Sequence, residues 1–136
     1  MEKLSMFNMV NSNLFPLESE TRPWGKWMIL NEGPSYKVKL IEVNPGHRLS
    51  LQYHHHRTEH WLVVSGKARI VVANQVQELG VLQSTVIPER TVHRIENPMS
   101  EILRVIEVQL GSKLLEEDIV RLEDDYEREL NSEGVE

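Results

Sequence analysis

The 136-residue sequence contains no cysteine. Without thiols, the chain can form neither a disulfide framework nor a thiolate metal site. It also lacks any apolar run near the ~18 residues that a membrane-spanning helix needs. The N-terminal segment has no basic region followed by an unbroken apolar stretch, so it does not resemble a signal peptide. These absences predict a soluble, cytoplasmic protein with no membrane partner.

Clusters of basic residues are missing as well. Residues 114–136 carry ten acidic and two basic residues, whereas residues 1–113 carry eleven acidic and thirteen basic residues. A net charge of −6 without a basic stripe argues against nucleic acid as a partner. The nearly neutral body can still attract a small anion, such as a sugar phosphate.

The composition is that of an ordinary globular protein, with 40% apolar and 26% charged residues, and the length suits one domain. Residues 1–21 are polar and weakly periodic, which predicts an N-terminal arm. Residues 22–113 are rich in β-branched and alternating residues, which predicts an all-β sandwich or barrel of short strands. The predicted strands are Tyr36–Val43, Leu49–His54, His60–Val64, Ala68–Val72, Ser84–Ile87 and Ile102–Gln109.

The C-terminal segment has a different period. Ile119, Leu122, Tyr126 and Leu130 are spaced three, four and four residues apart, as on one face of a helix. Asp118 near its start would suit the positive end of a helix dipole. Residues 114–136 are therefore predicted to form an acidic helix and tail.

Five of the six histidines lie between His47 and His60. Residues two apart on a strand face the same way, so Gln52 and His54 share one face with Ser50. Glu59 begins the next strand and can lie opposite them. Converging imidazole and carboxylate groups suit zinc, manganese, iron or nickel.

The spacing of these residues resembles the two sequence motifs of the cupin superfamily. The first motif is similar to the order Gly46, Gln52, His54, Glu59 and Gly66, with Gln52 where a histidine is usual. The second is similar to the order Pro88, His93 and Asn97, although Leu82 and Arg90 stand where two glycines are usual. The resemblance implies a single-domain cupin, a double-stranded β-helix or jelly-roll barrel. It also implies one divalent ion, such as zinc, manganese or nickel, held by Gln52, His54, Glu59 and His93.

Longer segments resemble the type II mannose-6-phosphate isomerases. These segments are RPWGKW (22–27), YKVKLIEVNPGHRLSLQYHHHRTEHWLVVSG (36–66), VIPERTVHRIENP (86–98) and VIEVQLGSKLLEEDIVRLEDDYER (105–128). The resemblance implies interconversion of mannose 6-phosphate and fructose 6-phosphate through a cis-enediol. In that family the cupin commonly follows a guanylyltransferase part, so the chain is expected to be either a free-standing isomerase or an excised domain.

The proton-transfer base of such a reaction is open at this point. Glu107 would suit if burial raises its pKa, His56 titrates in the useful range, and Lys39 is a third candidate. For the phosphate, the resemblance to the LSxQxH segment of these isomerases implies Ser50, and Lys39 and Arg57 offer positive charge. Trp61, two residues after Glu59, is expected to form a wall of the pocket.

Two other functions remain open on the sequence. Many cupins are metal-dependent dioxygenases, although Gln52 departs from their usual three histidines and one glutamate. The second alternative is a non-catalytic module that binds a sugar phosphate or a metal for a separate guanylyltransferase. A homodimer is expected, because small cupins commonly pair and residues 1–21 contain apolar side chains that favour packing on a second subunit, namely Met6, Phe7, Met9, Val10, Leu14 and Phe15.

Overall fold

A computed structural model describes residues 16–126, which form eleven β-strands and no helix. The strands are β1 Glu18–Arg22, β2 Gly25–Gly33, β3 Tyr36–Val43, β4 Leu51–Tyr53, β5 Thr58–Ser65, β6 Ala68–Val72, β7 Gln75–Leu79, β8 Ser84–Ile87, β9 His93–Glu96, β10 Leu103–Leu110 and β11 Val120–Glu123. The expected all-β class is confirmed. None of these residues belongs to a helix of the length and hydropathy needed to cross a membrane.

The strands form two antiparallel sheets that enclose one core. The six-stranded sheet has the order β1-β2-β3-β10-β5-β8, and the five-stranded sheet has the order β11-β4-β9-β6-β7. Burial alternates along β3, β5 and β10, as expected for strands with one face turned inward. The buried apolar side chains include Trp24, Trp27, Ile29, Ile41, Val43, Trp61, Val63, Ile70, Ile87, Ile95, Leu103 and Val105.

The inward rows of three neighbouring strands change from apolar to polar along the barrel. In β10 the inward residues are Leu103 and Val105, followed by Glu107 and Gln109. The row in β5 changes in the same way, and Lys39 is the buried polar member of β3. The antiparallel register places Glu107 opposite Lys39 on β3 and opposite Trp61 on β5. One end of the barrel interior is therefore apolar core, and the other is a polar cavity.

Three of the predicted strands have the predicted bounds, namely β3, β6 and β8. The strand β1 begins at Glu18, inside the segment predicted as an arm, and pairs antiparallel with β2. The sequence pattern also missed β2, β7 and β9. The apolar arm residues Met6, Phe7, Met9, Val10, Leu14 and Phe15 lie outside the described residues.

The predicted C-terminal helix is wrong over the described residues. Val120 begins a strand, β11, that pairs with β4 at the edge of the five-stranded sheet, and its side chain is buried. Tyr126 stacks on His47 and shares a hydrogen bond of 2.8 Å with its Nδ1. Hydrogen bonding and burial at the edge of the sheet override the helical spacing, because local propensity is a weak preference. Leu130 lies outside the described residues.

The two positions where the second cupin motif has glycine adopt the backbone that glycine favours. Leu82 has a φ of 74° and Arg90 a φ of 60°, both in the left-handed region. Such a conformation costs a non-glycine residue roughly 1–2 kcal/mol. The chain therefore keeps the loop shape expected from the motif despite the two substitutions.

Candidate metal centre and cavity

Three side chains from different parts of the chain converge in the polar end of the barrel. Glu59 lies on β5, His93 begins β9, and His54 directly follows β4. Their potential ligand atoms lie within 4.8 Å of one another, and all three side chains are buried. The Nε2 atoms of His54 and His93 lie 3.4 and 3.5 Å from the two different oxygens of Glu59. The structure thus brings together three of the four residues predicted from the sequence as metal ligands.

Backbone carbonyls orient both imidazole rings. His54 Nδ1 lies 2.6 Å from the carbonyl oxygen of Asp118, and His93 Nδ1 lies 2.8 Å from that of Thr91. A carbonyl only accepts, so each Nδ1 carries the hydrogen and donates it. In a neutral ring the Nε2, on the side near Glu59, is then left with a lone pair, which is the tautomer a metal ligand needs.

The charge states of the cluster also suit a cation. Burial, followed by the positive charge of Arg57, lowers the pKa of His54 to about 3, so its ring is neutral. Burial favours the protonated form of Glu59, but the charges of Arg57 and His93 outweigh it and lower the pKa of that carboxyl. A neutral imidazole and a carboxylate are ordinary ligands for a divalent transition metal.

Gln52 lies beside this cluster. It is buried, it lines the same cavity, and it is the register partner of His93 across β4 and β9. Its Nε2 lies 3.4 Å from the carbonyl oxygen of Ser50, which orients the amide nitrogen as a donor. The amide oxygen is then the atom of Gln52 that is suited to bind a metal.

Arg57 lies against the two groups that would also contact a metal. Its Nε donates to Glu59 Oε2 at 2.7 Å, and its Nη2 lies 3.0 Å from His54 Nε2. Burial disfavours the charged guanidinium, but the carboxylates of Glu59, Glu107 and Glu116 outweigh it and raise the pKa of Arg57. The sequence suggested a role for Arg57 at a phosphate, whereas its hydrogen bonds are made within the cluster.

Glu107 is joined to the cluster through Trp61. The indole Nε1 lies 3.1 Å from Glu59 Oε1 and 3.1 Å from Glu107 Oε2, which makes Trp61 the expected wall of the pocket. Gln109 Nε2 donates to the other oxygen of Glu107 at 2.6 Å. Burial, followed by the negative charge of Glu59, raises the pKa of Glu107. Glu107 therefore has the burial-raised pKa that the sequence analysis required of it as a proton-transfer base.

The other two candidate bases differ in position. His56 is exposed and is not among the residues that line the cavity. Lys39 is buried in the cavity wall, with its ammonium 2.7 Å from Glu116 Oε2 and 4.2 Å from the centre of the Trp27 ring. Lys39 is therefore a charge-paired cation within the cavity.

Further polar groups line the same cavity. Ser50 is buried, and its hydroxyl has no hydrogen-bond partner among the described residues. Arg22, Glu116 and Arg121 also line the cavity, and sequence reasoning missed all three. Arg22 precedes Pro23 in a segment read as the start of regular structure, whereas Glu116 and Arg121 fell within the predicted helix. No local signal marked their contact with the barrel.

Comparison with known sequences points to one family. Residues 13–124 match the family described as mannose-6-phosphate isomerase C-terminal. The chain is 50% identical over 107 residues to the mannose-1-phosphate guanylyltransferase ManC of Salmonella typhimurium, covering 79% of this chain and 22% of ManC. It is 52% identical over 107 residues to the alginate biosynthesis protein AlgA of Pseudomonas aeruginosa, with the same coverages of 79% and 22%.

Solved structures show the same fold at low sequence identity. The cupin domain of Schizosaccharomyces pombe Cnp3 has a TM-score of 0.60 at 18% identity, with 63% of this chain and 64% of that chain covered. KdgF from a Halomonas species has a TM-score of 0.64 at 15% identity, with 73% and 95% covered. The Lactobacillus farciminis oxalate decarboxylase has a TM-score of 0.68 at 22% identity, with 78% and 33% covered. The expected cupin fold is confirmed.

Proposed function

This chain belongs to the mannose-6-phosphate isomerase C-terminal family, and on that premise we propose that it is a metal-dependent isomerase of mannose 6-phosphate and fructose 6-phosphate. One observation carries the proposal. The oriented histidines His54 and His93 converge on Glu59, and the buried Glu107 is joined to Glu59 by a single indole. This arrangement offers a cation site and a nearby carboxylate with a raised pKa, as an aldose–ketose isomerisation requires.

The assignment concerns only the cupin. The chain spans about a fifth of the length of the curated relatives it matches, at 22% of both ManC and AlgA. The guanylyltransferase activity in the name of ManC is therefore not carried over to this chain.

The ion would be held by His54 Nε2, His93 Nε2, a Glu59 oxygen and the amide oxygen of Gln52. Zinc, manganese and nickel all accept such mixed nitrogen and oxygen ligands. A bound ion supplies Lewis-acid polarisation of the carbonyl of the open-chain sugar. It would also take the His54 lone pair that faces Arg57 Nη2, so that Arg57 would keep its hydrogen bond to Glu59.

Glu107 is the proposed proton carrier between C1 and C2 of the sugar. Its raised pKa makes the carboxylate a better proton acceptor than an ordinary glutamate. The donors Trp61 and Gln109 hold its two oxygens in place, so the group is oriented before the substrate arrives. The exposed His56 has no comparable position in the cavity.

Lys39 and Ser50 are the proposed contacts of the substrate phosphate. Lys39 brings a buried positive charge into the cavity, and Ser50 brings a buried hydroxyl without a partner among the described residues. Ionic and hydroxyl donors of this kind are common phosphate ligands. Arg57 adds positive charge nearby, although its hydrogen bonds are made to the metal cluster.

A coupled assay tests the proposal. Protein stripped with a chelator and reloaded in turn with zinc, manganese or nickel should interconvert the two sugar phosphates with at least one of them. Glu107→Gln should lower kcat by roughly 10²–10⁴-fold, the usual contribution of a general base. Glu32→Gln, a matched change at an exposed position of β2, should leave kcat unchanged. A fully metal-loaded protein that neither forms product nor exchanges the C2 hydrogen with solvent would exclude the isomerase.

A non-catalytic module is the second candidate. The observation that favours it is the short match to the relatives, one of which is named for guanylyl transfer rather than isomerisation. Such a module would bind mannose 6-phosphate with measurable heat in calorimetry but would exchange no C2 hydrogen. The exchange measurement therefore separates the two candidates. A dioxygenase has no support beyond the shared fold.

A further inference from the structure

One residue of the C-terminal segment contacts three consecutive residues of the loop after β4. The backbone oxygen of Asp118 accepts from His54 Nδ1 at 2.6 Å. One carboxylate oxygen of Asp118 accepts the backbone N–H of His55 at 2.9 Å, and the other accepts that of His56 at 3.0 Å. Asp118 thus holds the loop with its side chain and the ring of His54 with its main chain.

The two kinds of contact depend on each other. The backbone oxygen can orient the His54 ring only while the loop and the C-terminal segment keep their separation. The carboxylate sets that separation, because both of its oxygens are engaged by adjacent amides of the loop. Charge-assisted bonds of this type are stronger than neutral ones.

The rest of the segment is docked on the same strand. Asp118 N–H donates to the carbonyl oxygen of Leu115 at 3.1 Å, which forms a turn just before β11. The strand β11 pairs Val120 with Tyr53 and Arg121 with Gln52 on β4. On its other side β4 has a single paired residue, Gln52 opposite His93. The geometry of this three-residue strand and of the following loop therefore depends strongly on the C-terminal segment.

We propose that Asp118 is a positioning residue of the metal centre, and that it couples docking of the segment 115–123 on β4 to metal binding at His54. The inference rests on the metal centre of the proposed function. Docking presents the Nε2 lone pair of His54 towards the cluster, and a metal on that lone pair holds the segment in place. Because such coupling is reciprocal, the factor by which docking raises metal affinity equals the factor by which metal stabilises docking.

Metal affinity of the full chain gives the first test. Zinc, titrated in competition with a fluorescent chelator, should bind wild-type protein at about one ion per chain. Asp118→Asn replaces one accepting oxygen with an NH2 group that cannot accept, and it should weaken zinc affinity by about 10–100-fold, as changes to outer-shell partners do. Glu117→Gln removes the same charge from the adjacent exposed residue and should leave the affinity within about twofold.

Amide hydrogen exchange of the wild-type protein gives a second test that needs no variant. Saturating zinc should slow exchange at the amides of His55, His56 and β11 by at least about tenfold relative to chelator-treated protein, by the same linkage. Exchange at β7, the strand at the opposite edge of the five-stranded sheet from β11, serves as the internal control. This measurement uses only wild-type protein, so it can be made even if Asp118→Asn does not fold.

The outcomes separate the inference from the function on which it rests. Equal zinc affinities of wild type and Asp118→Asn would overturn the role of Asp118, as would equal losses in Asp118→Asn and Glu117→Gln. Amide hydrogen exchange at His55 and His56 that is the same with and without zinc would overturn the coupling. A wild-type protein that binds no zinc would overturn both the metal centre and the inference. The protein could instead bind zinc tightly, with the predicted loss of affinity in Asp118→Asn, but show no isomerase activity. In that case the proposed function would be wrong and the role of Asp118 would stand.

Discussion

The ammonium of Lys39 lies 2.7 Å from the carboxylate of Glu116, inside the cavity that His54, Glu59 and His93 also line. Lys37 lies 3.8 Å from the same carboxylate oxygen. The carboxylate of Glu116, from the C-terminal segment, thus lies beside Lys39, where we propose that the phosphate of the substrate binds. Glu116 balances the buried charge of Lys39 and would compete with an arriving phosphate.

Removing the carboxylate of Glu116 should strengthen phosphate binding. Glu116→Gln leaves Lys39 without its anionic partner, so we expect the KM for mannose 6-phosphate to fall by about 3–10-fold, or ~1 kcal/mol. Lys39→Met should raise the same KM by more than tenfold, since bonds to charged groups contribute about 1.5–3 kcal/mol. Glu117→Gln is the matched control. A KM that rises in Glu116→Gln would mean that the carboxylate assists binding rather than competes with it.

Ser50→Ala should change stability and binding in opposite directions. The buried hydroxyl has no protein partner among the described residues, so removing it should not lower the free energy of unfolding, and a gain of up to ~1 kcal/mol is expected. Loss of a hydrogen bond to phosphate should cost roughly 1.5–3 kcal/mol of substrate binding, seen mainly as a higher KM. Denaturant unfolding and steady-state kinetics measure the two quantities. The exposed Ser84→Ala is the control, and a destabilised Ser50→Ala with normal KM would refute the phosphate role.

Metal loading should raise thermal stability. At a free metal concentration of 100 times Kd, binding to the folded state alone contributes about 2.7 kcal/mol. His54→Ala and His93→Ala should each abolish both metal retention and this rise in Tm, while the barrel remains folded. Gln52→Ala removes a neutral ligand and should lower activity more than stability. His60→Ala, on the outward face of β5 next to Glu59, should keep the metal. Full metal occupancy in both His54→Ala and His93→Ala would exclude the ligand assignment.

The homodimer predicted from the sequence stays a proposal, and the outer face of the six-stranded sheet supports it. Ile106 on β10 is the register partner of Leu40 on β3 and of Leu62 on β5, and Met28 on β2 continues the same row. Leu62 is 37% exposed and Val64 is 40% exposed. A contiguous apolar face of this kind is unfavourable in water and favours association with a second copy.

Leu62→Asp should convert the dimer to a monomer, as measured by light scattering after gel filtration at micromolar concentration. Val76→Asp places the same charge on an exposed position of the other sheet and should leave the dimer intact. If Leu62→Asp is still a dimer, the interface lies elsewhere on the protein. If the wild-type protein is a monomer, the predicted dimer is wrong.

The sequence alone was sufficient for the barrel and for the convergence of the three side chains of the candidate metal centre. Alternation along a strand determines which residues share a face, so the bounds of β3, β6 and β8 and the inward positions of Glu59 and Trp61 followed from local order. The resemblance to the two cupin motifs implied that His93 joins His54 in the same cavity. Alternation is a property that neighbouring residues encode, whereas the placement of His93 came from the resemblance.

Only the tertiary structure decided what lies around that cluster. Residues 116–123 lie within the predicted helix, yet strand β11 pairs with β4, and the residues just before it bring Glu116 to Lys39 and Asp118 to His54. These partners are more than sixty positions apart in sequence, as with the separation of 64 positions from His54 to Asp118. Local periodicity specifies a face but not the register partner across it, because the register is determined by hydrogen bonds and packing between strands that meet only in the folded chain.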